Sequence, residues 1–119
     1  MTVREVFFLI GEGGAVLHRD DGESASHIAD SRARWEAIWE NRDQLVELAH
    51  SHPAGPLAFS HEDETTMAAL ASALGKPLVF SVVTPGGMLR RQGGADERVE
   101  SEPGWADDLR RASGLPPRP

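Results

Sequence analysis

Two histidines one residue apart, His50 and His52, close the apolar run Leu45-Val46-Glu47-Leu48-Ala49. In an extended strand, side chains two apart share a face, so the two imidazoles stand side by side. Each can offer a nitrogen to one ion about 2 Å away. Pro53 then stops the strand. A third donor comes from the next element. Asp63, Met67, Leu70 and Leu74 are spaced by four, three and four residues, which places the Asp63 carboxylate on the stripe that the apolar side chains use to enter the core. A carboxylate there requires a cation. Two nitrogens and one oxygen leave the fourth position of a tetrahedral ion open, as in catalytic rather than structural zinc sites.

The elements that must position these residues follow from patterning. Residues 3–10 are rich in β-branched and aromatic side chains and meet a glycine-rich turn at 11–14, then the short apolar run Ala15-Val16-Leu17, which predicts a hairpin. Residues 20–26 are polar and loop-like. Asp30 or Ser31 offers an N-cap for a helix with Trp35, Ile38 and Trp39 on its inward stripe and Glu36 and Glu40 on its solvated face. Residues 45–52 form the third strand, with Val46, Leu48, His50 and His52 on one face. Ser60 caps a second helix with an inward stripe of Met67, Leu70, Ala71 and Leu74, ended by Gly75 and Pro77. Residues 78–84 are almost wholly apolar, as in a strand covered on both faces, and Pro85-Gly86-Gly87 turns them into Met88-Leu89-Arg90. The domain is expected over residues 1–92. Residues 93–119, dominated by charge, Gly and Pro, are expected to be a polar, flexible tail in which only 105–112 could form a short helix.

Composition narrows the function. At 119 residues and 39% hydrophobic content, the chain supports one core. It has no cysteine, which removes disulfides, thiolate metal sites and cysteine nucleophiles and leaves His, Asp and Glu as the available ligands. The net charge is -7 with scattered basic residues, so nucleic acid is not an expected partner. No apolar stretch is long enough to span a bilayer and the N-terminus lacks secretion-signal features, so a cytoplasmic protein without membrane contact is expected.

The whole pattern is His50-x-His52-Pro53, six residues, Ser60, two residues, Asp63. It resembles the signature of the JAMM (JAB/MPN-plus) metallopeptidases at every fixed position, and the element order over residues 3–92 agrees. The resemblance implies a single α/β (α+β) domain with a mixed sheet flanked by helices in a cytidine-deaminase-like layout. It implies one zinc ion per chain on His50, His52 and Asp63, a glutamate from the first strand as general base, and the motif serine, Ser60, as an oxyanion stabiliser. Glu5 is the candidate base, because it opens the first strand on the face of Phe7 and Leu9, ahead of a hydrophobic run and a glycine. Glu12 in the glycine-rich turn is the reserve. The implied activity is zinc-dependent hydrolysis of a peptide or isopeptide bond, with the Gly-Gly end of a ubiquitin-like or sulfur-carrier protein as the implied substrate. A homodimer is compatible with this reading.

Other readings account for fewer residues. Ser60 with Asp63 is also a capping pair, which explains neither histidine. His18 and His27 fall in loop-like context and read as solvated, and His61 points off the inward stripe. A scaffold that keeps the metal but lacks activity is the main alternative, since the superfamily includes interaction modules. A two-His-one-carboxylate iron enzyme would use the same ligands for different chemistry.

Overall fold

A computed structural model of the chain describes residues 3–22 and 32–118. Strands β1 (Val6–Gly11) and β2 (Val16–Asp21) make the expected hairpin around a short 3-10 turn, Glu12–Gly14. Gly13 and Gly14 take φ of 70° and 81° there, a region side chains rarely tolerate. Helix α1 (Arg32–Glu40), strand β3 (Leu45–Ser51), helix α2 (His61–Leu74) and strands β4 (Val79–Thr84), β5 (Gly87–Gln92) and β6 (Ala95–Arg98) follow, and helix α3 (Gly104–Ala112) comes last. The six strands form one sheet in the order β2-β1-β3-β4-β5-β6. Strands β3 and β4 are parallel, with α2 as the crossover such a pair requires, and all other neighbours are antiparallel. The result is the expected mixed sheet flanked by helices.

Strand β1 is buried at all six positions because the sheet is covered on both faces. Phe7 and Leu9, with Leu48 from β3, pack against Ala37 and Ile38 of α1 and Leu70 of α2. Val6, Phe8 and Ile10, with Ala49, Val83 and Met88, pack against Trp105, Ala106 and Leu109 of α3. Each large side chain fully buried in this way contributes about 1.5–3 kcal/mol.

The second of these faces corrects the expected boundary at residue 92. Residues 93–118 complete the domain rather than trail from it. Gly93 and Gly94, at φ of 60° and 79°, turn β5 into β6, and α3 closes the open side of the sheet. Its residues Trp105, Ala106 and Leu109 lie on one helical stripe, which the surrounding charge hides from a compositional reading. Arg110 has no solvent exposure. Its guanidinium binds Glu102 at 2.6 and 3.0 Å and Asp107 at 2.8 Å, and donates to the carbonyls of Thr84 and Gly87. A charge that reads as solvated therefore pins α3 to the β4–β5 turn.

Smaller differences share a cause in local geometry. The β1–β3 register shifts between Ile10↔Glu47 and Gly11↔Leu45, so Val46 is an extra residue in a bulge. Leu45 turns inward and Val46 is exposed, against the expected alternation. Trp39 is also exposed, with the Arg42 guanidinium 4.1 Å from its ring centre, and Ala71 faces outward. Asp20, Asp21 and His18 lie in β2 rather than a loop, with His18 half-buried opposite Leu9. The expected cap at Asp30 or Ser31, and His27, lie outside the described residues. No helix among the described residues is long and apolar enough to cross a membrane.

Candidate metal centre

The centre forms where the C-terminal end of β3 meets the start of α2. His50 and His52 project toward the α1–α2 side, as period two requires. The loop after Pro53 then wraps the second ring. Gly55 sits so close that a β-carbon there would stand 3.4 Å from His52 Cβ. The Pro56 carbonyl lies 3.1 Å from His52 Nδ1. A hydrogen bond from Nδ1 to that carbonyl orients the ring so that Nε2 faces the site.

Helix α2 brings the third donor. Ser60 Oγ accepts the Asp63 amide at 3.1 Å while the Asp63 carboxylate accepts the Ser60 amide at 2.7 Å, a reciprocal cap. The cap and the donor position coexist. Asp63 Oδ2 lies 3.2 Å from His50 Nε2 and 3.4 Å from His52 Nε2, and the two Nε2 atoms are 3.0 Å apart. An ion bound tetrahedrally at zinc–nitrogen and zinc–oxygen distances separates neighbouring donor atoms by about 3.3–3.4 Å. The three observed edges fit that figure within a few tenths of an ångström, so the donor set suits such an ion in chemistry and spacing.

Burial opposes ionisation of Asp63, but hydrogen bonds from His50, His52 and the Ser60 amide outweigh it and hold the carboxyl well below the usual range. Burial likewise opposes charging of His52. The Asp63 and Pro56 hydrogen bonds, with the Asp63 and Glu5 charges, reverse this and raise its pKa above 6.5.

Glu5 is buried just ahead of β1. Its place follows from register. Phe7 pairs with His50 and Phe8 with Ala49, so continuing the ladder sets Val6 opposite Ser51 and Glu5 opposite His52, on the same face. Glu5 Oε1 lies 3.7 Å from His52 Nε2. Glu5, His50 and His52 each offer one ligand atom within 4.8 Å of the others, a group that can hold a metal ion. The edges to Asp63 are the tighter ones, and the longer gap to Glu5 is suited to an intervening water. Glu12 stands at the other end of the sheet. Gly11 pairs with Leu45, five residues before His50, which is about 17 Å along a strand.

A groove of about 530 Å³ opens beside the centre, between α1 and α2. Phe7, Trp35 and Phe80 contribute apolar lining, and Ser60 and Asp63 stand at its polar end. His61 is exposed, as expected, though it reaches the groove rim. Arg91 of β5 braces the far side. It pairs with Glu64 at 2.6 Å and with Asp96 at 2.6 and 3.0 Å, and lies 4.7 Å over the Phe59 ring, whose centroid is 6.3 Å from that of His50.

Sequence reasoning missed Ser51, which stands between the two histidines and is fully buried. Its hydroxyl accepts the Val6 amide at 2.9 Å. A small polar residue inside an otherwise apolar strand was the available signal. No curated protein matches the chain in sequence. The family of prokaryotic homologs of the JAB domain matches residues 8–93, and the chain belongs to that family.

Proposed function

We propose that the protein is a zinc-dependent peptidase or isopeptidase that hydrolyses an amide bond after the Gly-Gly end of a ubiquitin-like or sulfur-carrier protein. The observation that carries this reading is the convergence of His50 Nε2, His52 Nε2 and Asp63 Oδ2 at mutual distances of 3.0, 3.2 and 3.4 Å, with Glu5 beside them. His50, His52 and Asp63 hold the ion. Zinc, when bound, supplies Lewis acidity that brings the pKa of water toward neutrality and polarises the substrate carbonyl.

The remaining work belongs to the chain's own groups. Glu5 takes the proton of the attacking water and passes it to the leaving amine. Ser60 Oγ accepts from the Asp63 amide, which leaves its own proton for the developing oxyanion. The Pro56 carbonyl keeps the His52 ring in its donor orientation. The apolar groove walls seat the substrate chain.

The test is incubation of zinc-loaded protein with a ubiquitin-like protein extended beyond its Gly-Gly end through an amide. Cleavage after the second glycine, abolished by a chelator and restored by zinc, is the expected result. A zinc-loaded protein that cleaves no such amide would be an interaction module instead.

A further inference from the structure

We infer that Ser113, at the C-terminal end of α3, is a positioning residue for Glu5 and acts through the buried hydroxyl of Ser51. Glu5 stands immediately before β1. Backbone bonds anchor the chain at its own carbonyl and on either side of it. The Arg4 amide donates to the Ser113 carbonyl at 3.1 Å, the Glu5 carbonyl accepts the Gly22 amide at 2.7 Å, and the Val6 amide donates to Ser51 Oγ at 2.9 Å. The hydroxyls of Ser51 and Ser113 are 2.7 Å apart, and the Ser113 hydroxyl donates to the Leu109 carbonyl at the same distance.

Proton counting orders this chain. Ser113 has one hydroxyl proton, given to Leu109, so the Ser51 proton goes to Ser113 Oγ and a Ser51 lone pair receives the Val6 amide. Every group is satisfied and both serines are fully buried. Ser113 therefore grips the chain on both sides of Glu5, through its carbonyl at Arg4 and through Ser51 at Val6. Glu5 and Ser113 both lie outside the family match, so α3 supplies locally what the matched segment does not contain. The inference rests on the assignment of Glu5 as general base only for its effect on rate.

The test compares Ser113→Ala with Leu109→Val in the full-length, zinc-loaded protein. The leucine change weakens α3 packing without removing a hydroxyl, and thus controls for stability alone. In Ser113→Ala, zinc affinity and KM should stay within about twofold, whereas Val6 amide exchange should rise and kcat should fall by about tenfold or more, as expected for a displaced catalytic group. Leu109→Val should keep its kcat. Unchanged Val6 exchange and kcat in folded Ser113→Ala, or an equal loss of kcat in Leu109→Val, would overturn the inference. If the wild-type protein cleaves nothing, Val6 exchange alone decides: faster exchange upholds the positioning role while the peptidase reading fails. Ser51→Ala carries the same measurements if Ser113→Ala does not fold.

Discussion

Glu5 and His52 face each other across the β1–β3 pair, the carboxylate Oε1 3.7 Å from Nε2. That separation makes Glu5 a neighbour of the proposed metal donors His50, His52 and Asp63 rather than one of them. Glu5→Gln, nearly the same in shape, should therefore keep zinc and lose amide hydrolysis by about a hundredfold or more. Glu12→Gln, at the far end of the sheet, should behave as wild type. Equal turnover of the Glu5 variant and the wild type would remove Glu5 from the mechanism.

Ser60 has two roles that one variant can separate. Ser60→Ala removes the side-chain half of the cap on α2, which costs about 1 kcal/mol. It also removes the proposed oxyanion donor, which costs on the order of a hundredfold in kcat. The zinc content should not change. A melting shift without a change in turnover would leave Ser60 as a cap alone.

The C-terminal segment should be indispensable. Arg110→Met leaves the Glu102 carboxylate, whose side chain is only 9% exposed, with Arg118 as its remaining cation, so the variant should be destabilised by less than the roughly 3–5 kcal/mol that a buried charge costs when it loses its one partner. Urea denaturation reads this directly. A chain ending at Gln92 should be insoluble or unfolded, because Val6, Phe8, Ile10 and Met88 lose their cover. A soluble, zinc-loaded fragment of that length would contradict the assignment of α3 to the core.

The same segment should respond to acid. The Arg118 amide, followed by the Arg110 guanidinium, holds the Asp107 carboxyl below its ordinary value of 3.8. A lowered folded pKa gives stability that is present above the unfolded value and lost as pH falls through the folded one. The stability gap between wild type and Asp107→Asn should thus be wider at about pH 6 than at about pH 3. The gap is small, since Asp107 is 39% exposed on its side chain. An identical gap at both pH values would contradict the assignment.

What the sequence carried was local, and what it hid was long-range. Strand periodicity put His50 beside His52, and helical spacing put Asp63 on the inward face of α2, because both are repeats within a few residues. Even there the Val46 bulge escaped, since it depends on how β1 and β3 pair. Helix α3 was masked by its own charges. The stripe of Trp105, Ala106 and Leu109 is legible in retrospect, yet Arg110 reads as solvent-facing until Glu102 and the Thr84 and Gly87 carbonyls surround it. Ser51 and Ser113 are 62 positions apart, and no spacing rule joins them.

Bound metal is what the convergence of His50, His52 and Asp63 most directly requires. Elemental analysis of purified protein should find one zinc per chain in the wild type and in Ser60→Ala, which loses the cap but no donor, and almost none in folded Asp63→Ala. Full zinc occupancy in the Asp63 variant, or a wild-type chain that takes up no zinc, would contradict the centre built on His50, His52 and Asp63.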